Sequence, residues 1–167
     1  MIFITKLVDA NLVLKCYNIN KPAKPLKSYS NHEIFKTYLH DIGLLGAMSQ
    51  LNAKVLLEGD LLFQEYKGAL TENFVAQSLT NTLDHPLFYW TSEGKAEVDF
   101  VADIDGDNLP LEVKAGSTKK KKSLTTYQEK YKPKRGIRLS PMNIARDGEL
   151  INIPLYGIDE LTRLLAN

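Results

Sequence analysis

The chain has little of what would cross-link it or hold it in a bilayer. Of its 167 residues one is cysteine, Cys16, and a single thiol cannot form an internal disulfide, so a disulfide scaffold is excluded. No apolar run approaches the roughly 18 residues that a spanning helix needs. The N-terminus shows no signal-peptide pattern. The expected setting is therefore cytoplasmic, with no membrane partner. His32, His40 and His85 are scattered and have no cysteine companions at zinc spacing, so a zinc site is not expected. No G-x-x-x-x-G-K-[ST] loop occurs, and the chain is not expected to hydrolyse ATP by itself.

What is present describes a globular chain. Hydrophobic residues make up 44% and charged residues 25%, enough apolar surface for one compact core and too much for a disordered segment. The net charge is +1, but its distribution is uneven. From Lys114 to Arg138 there are ten basic residues against one acid, Glu129, so this segment carries +9 and the remainder −8. Such asymmetry favours a polyanionic partner, DNA being the natural one, although a lysine run also suits a solvated helix start.

Periodicity divides the chain. The β-branched opening, residues 1–17, suits a short helix or a strand pair, and the proline-bearing stretch 20–31 reads as a connector. From His32 to Leu51 the residues Ile34, Phe35, Tyr38, Leu39, Ile42, Leu45 and Met48 recur at helical spacing, which predicts two short helices. His40-Asp41 precedes the second of them, where a capping aspartate is expected. Residues 1–60 thus read as an N-terminal helical extension. A longer helix with Glu72 in its middle is predicted over 61–83. After His85-Pro86 the period turns to strand. Residues 87–91, 96–103 and 109–115 form a predicted three-stranded meander, with turn signals at 92–95 and 105–108. A helix over 119–131 and a strand over 136–140 follow, and the helical crossover makes that strand parallel to its predecessor. A last strand and helix close the chain. The expected fold class is α/β with a mixed sheet, its centre ordered α-β-β-β-α-β.

Charges inside the meander raise a question of chemistry. Alternation places Val98, Phe100 and Ala102 on one face of the second strand, with Asp99 on the other. In the third strand Leu109, Leu111 and Val113 lie opposite Glu112 and Lys114. A two-residue turn at Asp105-Gly106 pairs Phe100 with Leu111; a four-residue loop pairs it with Val113. Either register gathers Asp99, Glu112 and Lys114 on one face. Two carboxylates in cross-strand reach repel, and the remedies are solvent, a raised pKa, or a cation. An exposed ion pair would explain the same residues at little energetic consequence.

The order Glu72 on a helix, Asp99 on the second strand, Glu112-Val113-Lys114 on the third, then helix and strand, resembles the PD-(D/E)XK nuclease superfamily. The usual proline before the aspartate is Val98 here. The phrases FKTYLHDIGLLGAM (35–48), KGALTENFVAQSL (67–79), FYWTSEGKAEVDFV (88–101), LPLEVKAG (109–116) and GIRLS (136–140) further resemble the C-terminal domain of unknown function (4143) of prokaryotic AAA+ ATPases. The resemblance implies a restriction-endonuclease-like core over residues 61–167 and Mg2+-assisted phosphodiester cleavage. Asp99, Glu112 and Glu72 would hold the metal, and Lys114 would orient a water or stabilise developing charge. Lys119, Lys120, Lys121 and Lys122 would clamp DNA phosphates, and Gln128 on the following helix is placed to touch the site. Members of that family carry an ATPase module upstream, which this chain is expected to lack. The same frame also supports a noncatalytic module that binds nucleic acid or its ATPase partner.

Overall fold

A computed structural model of the chain describes residues 2–50, 61–92, 96–116 and 122–166. Helix α1 (Ile2–Asp9) leads into strand β1 (Val13–Ile19). After a 3-10 turn (Leu26–Tyr29) come β2 (Ser30–Leu39), α2 (Ile42–Met48) and the long α3 (Leu61–Thr82). The meander β3 (Leu87–Thr91), β4 (Glu97–Ile104) and β5 (Asp107–Val113) is followed by α4 (Lys122–Tyr131), β6 (Gly136–Ser140), β7 (Ala145–Asp147) and β8 (Leu150–Pro154). A second 3-10 turn (Leu155–Glu160) runs into α5 (Leu161–Leu165). The eight strands make one mixed sheet in the order β2-β1-β3-β4-β5-β6-β8-β7. Among the described residues no helix is long and apolar enough to cross a membrane.

The expected mixed α/β class and the helix-meander-helix-strand order are present. β4 and β5 pair antiparallel with Phe100 opposite Leu111, the register of the two-residue turn. Asp105 and Gly106 both have positive φ, 51° and 76°, the backbone that twists a hairpin in the sense of its strands and that favours glycine. α4 then carries the chain over the sheet, so that β6 lies parallel to β5.

Helices cover both faces of the sheet, which is why its central strands are buried along their length. On one face Val75, Ala76 and Leu79 of α3, with Ile158, Leu161 and Leu165 of the closing segment, pack on Phe100, Ala102, Leu111, Ile137 and Ile153. On the other, Tyr127 of α4 joins Ile19, Leu26, Phe88, Trp90, Val98 and Val101. Trp90 is wholly buried and meets Tyr127 and Tyr131 edge-on at 5.2 and 5.6 Å between ring centres. Its indole N–H donates to the Tyr131 hydroxyl at 3.2 Å, so one side chain fills the second core and satisfies its own polar atom.

One expectation fails. Residues 30–39 are not helical but form β2, and together with β1 they extend the sheet rather than stand as a helical extension. The pairing jumps from Tyr17 with Phe35 to Asn18 with Asn31, so His32, Glu33 and Ile34 bulge out of an edge strand. The bulge interrupts the two-residue period, leaving Ile34 half exposed and the remaining apolar residues at spacings that mimic a helix. The Asn31 Oδ1 accepts from Glu33 N inside the bulge. Asp41 is the cap, its carboxylate accepting from Leu44 N at 2.6 Å.

Trp90→Ala is expected to destabilise the protein by about 3–5 kcal/mol, the range for emptying a buried aromatic site, measured as a shift of the urea midpoint without a comparable change in slope.

Candidate functional site

The site grows from an irregularity between β3 and β4. Phe88 pairs with Val101 and Trp90 with Val98, so one residue of β3, Tyr89, stands opposite two of β4, Asp99 and Phe100. This bulge overturns the expected alternation. Val98 and Val101 both belong to the α4-side core, whereas Phe100 and Ala102 belong to the α3-side core. It also frees the Asp99 carboxylate to reach the neighbouring strand, where Oδ2 accepts from Val113 N at 2.7 Å.

β5 keeps its alternation. Leu109 and Leu111 lie in the α3-side core and Val113 packs against it, so Glu112 falls on the other side, 7% exposed. Lys114 Nζ donates to Glu112 Oε1 at 2.5 Å. Glu112 Oε2 is buried with no hydrogen-bond partner among the described residues, an expensive state for a carboxylate oxygen.

Asp99 resolves its burial differently. Removal from water pushes its pKa up to about 7, Glu72 and Glu112 push the same way, and the Val113 amide and Lys36 oppose them. No lysine or arginine among the described residues lies within ion-pair distance of it. Desolvation with nearby like charge is the physical signature of a functional carboxyl, though structural clusters share it.

Glu72 is brought to the same end of the sheet but is already engaged. Its Oε1 accepts from Lys36 Nζ at 3.1 Å and from the Tyr38 hydroxyl at 2.5 Å, and Lys36 also bonds Glu97 at 2.5 Å. The two carboxylates hold the Lys36 ammonium firmly enough to raise its pKa against the lowering effect of burial. Lys36 and Tyr38 went unnoticed in the sequence because the strand bearing them reads as helix. Among the described residues no group of three or more His, Cys, Asp or Glu side chains is arranged to hold a metal ion. The expected metal set Asp99, Glu112 and Glu72 is thus not assembled among the described residues, where Asp99 is held by the Val113 amide and Glu112 by Lys114. Glu72 does not fit as a ligand in this arrangement.

The other expected residues lie on neighbouring elements or outside the described residues. Gln128 packs its amide against Gly136 at the opening of β6, two residues before Arg138, the strand partner of Glu112. Lys119, Lys120 and Lys121 lie outside the described residues, and Lys122 opens α4. The histidines serve locally: His32 meets Tyr17 edge-on, His40 bonds the Asn11 carbonyl, and His85 accepts from Asp103 N and stacks on Phe88. Cys16 is wholly buried with its thiol pKa pushed up by burial, which removes it as a nucleophile.

The model of the domain of unknown function DUF4143 matches residues 67–156, from the middle of α3 to the end of the sheet and more than half of the chain. The chain belongs to the DUF4143 family. Two relatives are each 32% identical over 84 residues, an uncharacterized protein of Mycobacterium bovis and one of Mycobacterium tuberculosis. The match covers 50% of this chain and 18% of each relative, so the matched segment is a small part of those longer proteins. No solved structure matches the chain.

The pH dependence of Asp99 follows from its position. A carboxyl whose folded pKa, about 7, lies above its unfolded value binds more protons folded than unfolded, so it destabilises the fold increasingly from about pH 4 to 7. Metal-free protein is expected to lose about 2–3 kcal/mol of stability between pH 5 and pH 8 from this group. In Asp99→Asn that loss should vanish, as compared by denaturant unfolding at the two pH values.

Proposed function

We propose that the DUF4143 domain of this chain carries a Mg2+-dependent site for phosphodiester cleavage in DNA, built on Asp99, Glu112 and Lys114 within a PD-(D/E)XK-like core. The observation that carries the reading is the buried Oε2 of Glu112, which has no hydrogen-bond partner among the described residues, together with a second buried carboxyl that feels its charge, Asp99, and an ammonium already oriented by Oε1. The element order from α3 to β6 supports the core assignment.

When bound by Asp99 and Glu112, Mg2+ would polarise the scissile phosphate and acidify a coordinated water. Glu112 would help to hold the metal while its Oε1 accepts from Lys114 Nζ, and the oriented ammonium would be available to position a water or stabilise negative charge on the phosphate. The Val113 amide fixes the Asp99 carboxyl, and Asp99 must give up its proton to ligate. Lys36, Tyr38 and Glu72 bear on this site through charge and packing rather than as ligands. The basic stretch Lys119–Lys122 supplies the attraction for phosphates flanking the cut.

A second reading rests on the Lys36 bridge between Glu72 and Glu97, which neutralises the acids where a third ligand would stand. It makes the domain a noncatalytic module that binds nucleic acid or, in longer proteins, an adjoining AAA+ ATPase module.

Incubation with supercoiled and linear DNA in Mg2+ or Mn2+ separates the two. The catalytic reading expects nicking that falls at least about a hundredfold in Asp99→Ala, Glu112→Gln and Lys114→Met, the scale on which removing one charge-stabilising group slows a reaction. Cleavage that persists in all three variants would exclude this site. Absence of turnover with any metal, alongside saturable DNA binding that weakens with salt, is the outcome expected of the noncatalytic module.

A further inference from the structure

Lys36 stands on the edge strand β2, yet its ammonium bonds Glu72 of α3 at 3.1 Å and Glu97 of β4 at 2.5 Å. In the sheet β1 and β3 lie between β2 and β4, so the side chain reaches across two strands. Its partner on β1 is the wholly buried Cys16, and its Nζ lies 5.0 Å from the centre of the Tyr89 ring on β3. A long stem laid over apolar strand atoms with its charge at the far end is an arrangement lysine favours.

The point that Nζ occupies has the surroundings of a bound cation. Carboxylate oxygens from two different elements and an aromatic ring converge on it, and the Tyr38 hydroxyl fixes the Glu72 oxygen by donating to it at 2.5 Å. Lys36 and Glu72 also line an open cavity of about 650 Å³ between β2 and α3, so solvent and small ions reach the pair.

Asp99 lies in the field of the same groups. Glu72 raises its pKa more than Glu112 does, while Lys36 lowers it. The helical acid of the expected metal set therefore bears on the second acid of that set, but its oxygen is committed to an ammonium from an edge strand. A carboxylate cannot serve a divalent ion and a close ammonium at once without the two cations repelling.

We propose that Lys36 is an autoinhibitory contact, a tethered cation that holds Glu72 out of the metal set of Asp99 and Glu112. The inference rests on the metal-site reading above and accounts for the unassembled set. Displacing the ammonium frees Glu72 to join the other two acids.

Titration of Mn2+ into the full chain without DNA, by calorimetry and by the thermal midpoint, reads metal binding apart from cleavage. Two double variants of equal net charge decide the matter. Lys36→Met with Glu97→Gln removes the ammonium and leaves Glu72 free; Mn2+ is expected to bind at least about tenfold more tightly than to the wild type, the scale on which groups around a metal alter its affinity, and to raise the midpoint. Lys36→Met with Glu72→Gln is expected to show no such gain. Lys36→Met alone should melt lower than the wild type without metal and recover with Mn2+. The proposal is overturned by equal Mn2+ affinity in the wild type and the first double variant, or by an equal gain in both double variants, which would trace it to net charge. It is also overturned if the gain survives the addition of Asp99→Asn. Absence of DNA cleavage in all these proteins, with the gain intact and dependent on Glu72 and Asp99, would remove the catalytic reading and uphold the contact.

Discussion

The β4 bulge opposite Tyr89 is the constraint from which the rest of the arrangement follows. A sheet covered on both faces needs apolar side chains on both, and β4 supplies Val98 and Val101 to one core and Phe100 and Ala102 to the other. Regular alternation over these four residues would send Val101 alone to the far side. One extra residue in β4 changes the count, and that residue is where a carboxyl can be carried without a gap in either core. Asp99 is thus held by a backbone amide of β5 instead of being pressed into an apolar layer, at the point where a bulge most often re-aims a side chain.

The acids around the bulge are neutralised in three different ways. Glu72 and Glu97 share the ammonium of Lys36, and Tyr38 adds a hydroxyl to Glu72. Glu112 takes Lys114 on one oxygen, and its other oxygen has no hydrogen-bond partner among the described residues. Asp99 has no cation within ion-pair distance among the described residues, and burial raises its pKa to about 7. Apolar residues of similar volume would be at least as stable in these positions, so the buried Glu112 and Asp99 mark this end of the sheet as one where polarity is retained at a cost to the fold.

Much of this was legible in the chain. The turn residues Asp105-Gly106, the helix between two apolar runs, and β3 and β6 at their observed bounds all carry local signals of turn chemistry or period. Glu-Val-Lys inside a buried strand conflicts with its surroundings, and the conflict is answered by the Lys114 ammonium donating to Glu112. Both bulges were hidden for one reason. A bulge is defined by what lies opposite, and neither the jump at Asn18 nor the doubling at Asp99-Phe100 has a mark in its own strand. The first turned β2 into an apparent helix and concealed Lys36 and Tyr38; the second inverted the faces of Val98 and Phe100.

The hairpin also explains where polar side chains are admitted in so buried a sheet. β4 and β5 sit at the centre of the sheet, where their middle residues, Val101 and Ala102 with Leu109 and Leu111, are almost wholly buried and can carry no function. Polar residues are admitted only where the strands leave the cores, at the bulge on one side and the tight turn on the other. At the first end stand the Asp99 carboxyl, held by the Val113 amide, and Glu112, held by Lys114. At the second stand Asp105 and Gly106, whose positive φ lets the chain reverse while the ladder keeps every described pair from Phe100 to Ile104.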